Sequence, residues 1–317
     1  MLRIGILGAA DIAYRRFLPS IKNAANMQYA GVASRVQAKA EKFSATFGGA
    51  IYTSYDALLN DDSIDAVYIP LPPALHFEWA EKALLAGKHV LLEKPFTTNL
   101  EDTKKLIDLA KRKQLALHEN YMFLFHRQLS EIKTIAASGK IGELRLIRAA
   151  FGFPFRGAND FRYNKALGGG ALLDCGGYPV RLALELLGDD CRIETSSLNS
   201  ALDYDVDLYG NATLCNTDGL TAQIAFGMDN SYKCELEIWG SNGCIKVPRI
   251  FTAPSNLEPQ IMIDMQDGTE IIQVQCDDQF LNSANFFVSC INDTAIRESN
   301  YSKILQQASL IDTIKEC

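Results

Sequence analysis

The sequence predicts an α/β protein whose N-terminal part is a doubly wound parallel sheet and whose C-terminal part is an α/β domain built on a large open, mostly antiparallel sheet. Three observations carry this. Residues 2 to 120 alternate short apolar runs with amphipathic stretches, the pattern of strands joined by crossover helices. The first run ends in a glycine turn, Gly8-Ala9-Ala10-Asp11-Ile12-Ala13, that opens directly into a helical stretch. From about residue 121 the texture changes, and residues 193 to 275 become strand-like with closely spaced turn signals.

Taken in order, Arg3–Leu7, Gln28–Ala33, Ala66–Ile69, His89–Leu92 and Leu115–His118 read as the strands of the first sheet, with helical periodicity in Trp79–Ala86 and Leu100–Lys113. A helix (Gln128–Ser138) and a strand (Glu143–Phe151) lead into a glycine run, Gly168-Gly169-Gly170, and a further helix, Pro179–Leu187. The stretch from Ile193 to Gln275 is punctuated by Asp218-Gly219, Met228-Asp229-Asn230, Ser241-Asn242-Gly243 and Asp267-Gly268, and reads as one large antiparallel sheet. Helical patterns at Gln279–Ile291 and Ser302–Glu316 follow. The domain boundary is expected between residues 120 and 121, giving domains 1–120 and 121–317, with the terminal helix able to pack back on the first domain.

The totals exclude several classes. With 317 residues, 48% apolar and 22% charged, the chain has the composition of a soluble globular protein of two domains. A formal charge of −7 provides no global field for nucleic acid or an anionic membrane. The eight cysteines, at 175, 191, 215, 234, 244, 276, 290 and 317, show no C-x-x-C pair and no regular spacing. They read as free thiols in a reducing cytoplasm, with neither a metal site nor a disulfide framework. No apolar stretch reaches the roughly twenty residues of a membrane span, and the short apolar start runs into Asp11 and Arg15-Arg16, a first strand rather than a signal peptide.

Five segments carry chemistry. In the glycine turn, Gly8, Ala10 and Ala13 occupy the spacing of a dinucleotide fingerprint, with Ala at its second position, and the N–H groups of Asp11, Ile12 and Ala13 are placed to hold a pyrophosphate. The second strand ends Ala33-Ser34-Arg35 with no acid until Glu41. An Arg at that place suits a 2′-phosphate, so NADP(H) is expected, unless Arg35 is an ordinary exposed charge. Prolines around Leu71 and Pro72 stiffen the crevice after the third predicted strand, where His76 is either a cofactor contact or a hydrogen-bonding group at the helix entry.

The last two segments are Glu93-Lys94-Pro95, closing the run Val90-Leu91-Leu92, and Gly168 to Tyr178. The first sets a poorly solvated ammonium at the mouth of a buried strand. The second delivers an acid, Asp174, and a phenol, Tyr178, behind a backbone able to approach a ligand closely. Histidines stand only at 76, 89, 118 and 126, so nothing beyond residue 126 can supply an imidazole, and a proton donor from that stretch must be another residue type. A phenol of pKa ~10 is a weak acid, which a neighbouring ammonium strengthens. Lys94 with Tyr178 therefore reads as a hydride-transfer site, against the plainer alternative of a core tyrosine with a satisfied hydroxyl.

These segments, in this order and spacing, resemble the glucose–fructose oxidoreductase/inositol dehydrogenase (Gfo/Idh/MocA) family over essentially the whole chain. The resemblance implies a Rossmann domain followed by an α/β domain whose open sheet packs against a neighbouring subunit in a homodimer or homotetramer. It places the family's lysine on Lys94 and its aspartate on Asp174. Tyr178 stands where many members carry histidine, a departure from typical inositol dehydrogenases that resembles a tyrosine-bearing branch. Within that branch Ala10–Arg16, Glu119–Leu124, Phe161-Arg162-Tyr163 and Ala222–Met228 are similar to the nucleotide-sugar 3-ketoreductases of deoxysugar biosynthesis.

The implied activity is NADPH-dependent reduction of a 3-keto group on a dTDP- or other NDP-linked 6-deoxyhexose, with Lys94 and Tyr178 catalytic. Asp174 is either catalytic or orients Lys94 or a sugar hydroxyl. Arg16, Glu93, Lys94, Asn120 and Arg162 join the expected cofactor contacts, and Tyr121, Arg156, Arg162, Tyr163, Lys165 and Asp174 the expected substrate contacts. Two other classes stay open: an NADP-dependent dehydrogenase of a free sugar or cyclic diol, and a non-catalytic NADP-binding regulator. Retention of both Lys94 and Tyr178 weighs against the regulator.

Overall fold

The computed structural model describes residues 1–201 and 203–316. The chain divides into two compact units, Met1–Asn120 with Phe280–Ala308, and Tyr121–Gln279 with Ser309–Cys317. The expected helices near the C-terminus are thus shared: α8 and most of α9, introduced below, belong with the N-terminal segment.

In the first unit β1 (Leu2–Leu7), β2 (Met27–Ala33), β3 (Ala50–Tyr52), β4 (Ala66–Ile69), β5 (His89–Leu92) and β6 (Leu117–Glu119) form a parallel sheet in the order β3-β2-β1-β4-β5-β6. The order reverses between β1 and β4, which opens a crevice beyond their carboxyl ends. The crossovers include a first helix that begins at Asp11, passes through a wide π turn (Ala13–Phe17) and ends as α1 (Leu18–Ile21). They continue with α2 (Gln37–Phe47), α3 (Tyr55–Leu59), α4 (His76–Leu85) and α5 (Leu100–Lys113). The α5 helix starts where it does because Asn99 accepts the Asp102 N–H at 2.8 Å, and stops at Gln114, whose φ of 56° is left-handed. The central strands are apolar on both faces, and Val67, Ile69, Val90 and Leu92 are entirely buried with Leu106, Ile107 and Ala110 of α5.

The second unit carries α6 (Arg127–Ala137), β7 (Leu144–Gly152), α7 (Gly177–Leu187) and β8 (Arg192–Asn199), followed by β9 (Tyr209–Cys215), β10 (Thr221–Gly227), β11 (Lys233–Gly240), β12 (Gly243–Val247), β13 (Gln260–Met265) and β14 (Gly268–Gln273). Helices α8 (Gln279–Asn292) and α9 (Thr294–Glu316) complete the chain. The sheet order is β14-β13-β12-β11-β7-β10-β9-β8. The sheet is mostly antiparallel, as expected, with one parallel pair at its centre: β7 pairs parallel with β10, Ile147 opposite Ala222, and antiparallel with β11, Ile147 opposite Ile238. One face is a continuous apolar layer of Ile147, Ala149, Phe151, Ala222, Ile224, Phe226, Leu236, Ile238 and Ile245, all buried. The other face alternates with it and carries Arg148, Gln223, Glu237 and Lys246.

The seven described cysteines are free, and Cys317 lies outside the described residues. Among the described residues no cluster of His, Cys, Asp and Glu could hold a metal ion, and no helix is long and apolar enough to cross a membrane.

Candidate active site

In the first unit Gly8 follows β1 with φ of 105°, a conformation that side chains resist, and a Cβ there would meet Leu71 Cδ2 at 2.6 Å. Its N–H donates to the Ala33 carbonyl at 2.9 Å, joining the end of β2 to the turn. The first N–H groups of a helix have no intrahelical acceptor, and here they belong to Asp11, Ile12 and Ala13 at the mouth of the crevice. Arg16 is exposed, and Arg15 pairs loosely with Asp11 at 3.7 Å.

Arg35 is exposed just past β2; burial raises the Tyr55 pKa and the nearby Arg35 charge lowers it. The Tyr55 hydroxyl sits 3.8 Å from where a Gly8 Cβ would lie, and Trp79 holds the Tyr55 ring edge-on at 4.7 Å. The Ser34 hydroxyl is engaged in its own turn, accepting from the Val36 N–H and donating to the Val36 carbonyl, both at 3.1 Å. A glycine cradle closed by Leu71, a helix N-terminus and an exposed arginine fit a dinucleotide bearing a 2′-phosphate.

Two candidate cofactor contacts turn inward instead: His76 takes the alternative role of a hydrogen-bonding group at the helix entry, and Asn120 bonds Glu93. His76 is fully buried, with Nδ1 2.8 Å from the Pro95 carbonyl and Nε2 2.8 Å from the Leu71 carbonyl. Burial pushes its pKa down against the pull of those carbonyls. It braces the segments holding Leu71 and Pro95 and presents nothing to a ligand. Asn120 is 1% exposed and its amide is spent inward on Glu93 and Ser283. The Glu93 carboxylate itself accepts from the Tyr68 hydroxyl at 2.6 Å and Asn120 Nδ2 at 2.7 Å, both on Oε1. Burial raises its pKa, and these donors with the neighbouring Lys94 lower it. Lys94 is half-buried beyond the end of β5, and its peptide bond to Pro95 is cis.

In the second unit the glycine run is shaped by the loop before it. Gly168 and Gly170 have φ of 78° and 122°, and the Gly169 and Gly170 N–H groups donate to the Asn164 and Arg162 carbonyls at 3.0 and 2.9 Å. The helix then starts on Asp207, whose carboxylate accepts the Leu172 N–H at 2.6 Å while its carbonyl accepts the Ala171 N–H at 2.8 Å. Burial raises the Asp207 pKa, offset in part by the Leu172 N–H. A π turn (Leu172–Gly176) leads into α7, and Phe226 packs 3.0 Å from where a Gly176 Cβ would lie.

Tyr178, 6% exposed, stands in an aromatic nest of Phe151, Tyr121, Phe123 and Phe251, with centroids 5.0, 5.2, 5.8 and 5.8 Å away. Its hydroxyl points at Met122 Sδ, 3.8 Å away. Tyr121, expected to touch substrate, is 1% exposed and forms a wall of this nest. Tyr163 is corrected likewise: its hydroxyl donates to the Met228 carbonyl at 2.7 Å and accepts the Arg156 N–H at 3.1 Å, which pins the loop.

Asp174, four residues before Tyr178, accepts from Arg162 Nε at 2.7 Å. The same guanidinium reaches Asp160 at 3.1 Å, so Arg162 is committed to carboxylates rather than left as a free cation for phosphate. Arg156, stacked over Phe153 at 4.5 Å, and Lys165 remain exposed. Tyr55, Tyr68, Ser283 and Asp207 were missed by sequence reasoning. Tyr68 alone gave a signal, as the one polar group within the run Ala66–Ile69.

The fold and the features of each unit define a two-unit α/β oxidoreductase of the Rossmann type. The chain belongs to the GFO/IDH/MocA family: residues 2–121 match its oxidoreductase, NAD-binding Rossmann-fold domain and residues 129–246 its C-terminal domain. It is 40% identical to a dTDP-3,4-didehydro-2,6-dideoxy-alpha-D-glucose 3-reductase of Actinomadura kijaniata, over 99% of this chain and 95% of that one. It is 31% identical to an NADP(+)-dependent D-xylose 1-dehydrogenase of Haloferax volcanii, over 85% and 81% of the two chains. Among solved structures, KijD10, a 3-ketoreductase from Actinomadura kijaniata in complex with NADP and TDP-benzene, superposes with a TM-score of 0.96 at 40% identity, covering 99% of this chain and 97% of that one. KijD10 has also been solved with a tyrosine changed to phenylalanine and with a lysine changed to alanine or glutamate.

Proposed function

We propose that this chain reduces the 3-keto group of a dTDP- or other NDP-linked 6-deoxyhexose with NADPH. The observation that carries this is Tyr178, a phenol held rigidly four residues after Asp174, in a chain 40% identical along nearly its whole length to a dTDP-sugar 3-reductase. Lysine and tyrosine are also the residue types chosen for substitution in KijD10.

NADPH, when bound, supplies the hydride. The glycine turn and the Asp11–Ala13 N–H groups would hold its pyrophosphate, and Arg35 beside Ser34 would meet its 2′-phosphate. Tyr178 gives its proton to the alkoxide oxygen that forms on the reduced carbon. Lys94 stabilises the charge developing on that oxygen. Asp174, oriented by Arg162, fixes a sugar hydroxyl, and Arg156 and Lys165 face the diphosphate.

The substrate assignment is tested by following NADPH absorbance against a panel, with the keto-sugar generated in situ by its upstream dehydratase. The nucleotide-linked 3-keto-6-deoxyhexose is expected to show a kcat/KM at least about a hundredfold above any free sugar, inositol or diol, because remote phosphate contacts position a small reacting group. Compensation of Arg162 by Asp160 and Asp174 favours a second reading, a dehydrogenase of an uncharged sugar. Efficient turnover of a free polyol without competition from dTDP or UDP would establish it instead.

Cofactor choice follows from Arg35. A charge-assisted hydrogen bond contributes about 1.5–3 kcal/mol, so NADPH is expected to bind at least about tenfold tighter than NADH, with Arg35→Ala erasing most of the difference. Equal affinities for the two cofactors in the parent enzyme would remove the assignment.

The outer face of the second unit's sheet bears on assembly. A shallow concavity of ≈ 470 Å³ there is lined by Arg148, Ala150, Ala225, Glu237, Lys246 and Met262, and Trp239 on the same face is 52% exposed. This mixed apolar and charged surface suits a second copy of itself. A dimer or a tetramer is expected by light scattering at micromolar concentration, and a monomer would contradict the proposal.

A further inference from the structure

We propose that a buried hydrogen-bond chain within the first unit, Asn300–His118–Ser283–Asn120–Glu93, sets the orientation of Lys94, making His118, Ser283 and Asn120 positioning residues for the reaction. The inference rests on the reading of Lys94 as the group that stabilises the developing alkoxide.

His118, Asn120, Ser283 and Asn300 are 3%, 1%, 1% and 7% exposed, inside the first unit. Polar groups buried in this way cost stability unless each is partnered, and here the partners run in sequence. Asn300 donates through Nδ2 to the Leu117 carbonyl at 2.9 Å and sets Oδ1 3.1 Å from His118 Nδ1. His118 Nε2 lies 3.3 Å from Ser283 Oγ, and Ser283 donates to Asn120 Oδ1 at 2.8 Å. Asn120 donates to Glu93 Oε1 at 2.7 Å.

The Asn120 amide can take only one of its two flips. Its nitrogen must face the carboxylate and its oxygen the serine hydroxyl, because the reverse would set oxygen against oxygen at Glu93. Ser283 holds the oxygen end of the amide while its nitrogen donates to Glu93. Asn120 and Tyr68 hold the same carboxylate oxygen, and the Lys94 N–H also bonds that carboxylate. The rotamer of Glu93 is thereby tied to the backbone from which Lys94 springs. On the other side of the peptide plane, the Asn120 N–H donates to the Leu92 carbonyl at 2.9 Å, so the ends of β5 and β6 move together. Two of the links, Ser283 and Asn300, come from α8 and α9, the segment that returns to the first unit from the far end of the chain.

Ser283→Ala removes one link without adding volume. In the NADPH-bound enzyme it is expected to lower kcat for the keto-sugar about tenfold, the scale of a small misplacement of a reacting group, while changing KM and the NADPH Kd less than about twofold. Asn120→Ala combined with Ser283→Ala should be no slower than Asn120→Ala alone, since both act through one route. Ser283→Thr, which keeps the hydroxyl, should restore the rate.

A substrate-independent readout accompanies these: with lysines reductively ¹³C-methylated, the Lys94 resonance, assigned by its loss in Lys94→Met, should shift in Ser283→Ala. An unmoved Lys94 signal overturns the proposal whatever the substrate is. So do additive losses in the double variant. A shifted signal in an enzyme that reduces no nucleotide-linked keto-sugar would uphold the positioning chain and overturn the substrate assignment.

Discussion

Tyr178→Phe is expected to fold as the parent does and to lose turnover by roughly 10²–10⁴-fold, the contribution of a general acid. The ring is held by Phe151, Tyr121, Phe123 and Phe251, all contacts that phenylalanine preserves. The hydroxyl also donates to the Met122 thioether, a weak acceptor. The loss should therefore appear in single-turnover hydride transfer at saturating NADPH and not in cofactor affinity or melting temperature. Reduction at the parental rate would mean that the proton comes from elsewhere.

Lys94→Ala should be at least as damaging, because it removes a charge rather than a proton source. An oriented cation acts on the alkoxide only as negative charge develops, and loss of one such group typically costs about 10²–10³-fold in kcat. The neighbouring Glu93 adds to this. Its carboxylate is raised in pKa by burial and lowered by Tyr68, Asn120 and Lys94, so removing the ammonium takes away one of the influences that keep it ionised. Lys94→Arg, which keeps the charge but moves it, should recover only part of the rate. If Lys94→Ala retained more than about a tenth of parental kcat, the electrostatic role would have to be reassigned.

The parallel strands were legible because they are short, apolar on both faces and bounded by turn residues; Ala66–Ile69 and His89–Leu92 fall where the sequence put them. β3 was not legible: Ala50–Tyr52 is a three-residue, largely exposed edge strand with no periodicity to detect. The start of α7 was set too late because Gly176 and Gly177 read as loop, whereas they are helical, with Phe226 packed against Gly176. Among site residues, the turn and crevice positions were legible from spacing. His76, Asn120 and Tyr163 stayed open between a ligand contact and a structural role for one reason: a residue type that can contact a ligand can equally hold a carbonyl or a carboxylate inside the protein, and only the fold decides. Partners such as Ser283 and Asn120, 163 residues apart, leave no local mark at all.

The parallel pairing of β7 with β10 bears on how the second unit is assembled in time. Its sheet is two meanders, β8-β9-β10 and β11-β12-β13-β14, each able to zip from its own turns, joined only through β7. That seam strand leaves the ribosome before either meander, and its partners on both flanks are made much later. Closing it demands two long loops at once, the kind of non-local step that slows folding. Until then the apolar edges of Ile147, Ala149 and Phe151 stay unmatched, which makes β7 the segment most exposed to wrong partners while the chain is being made.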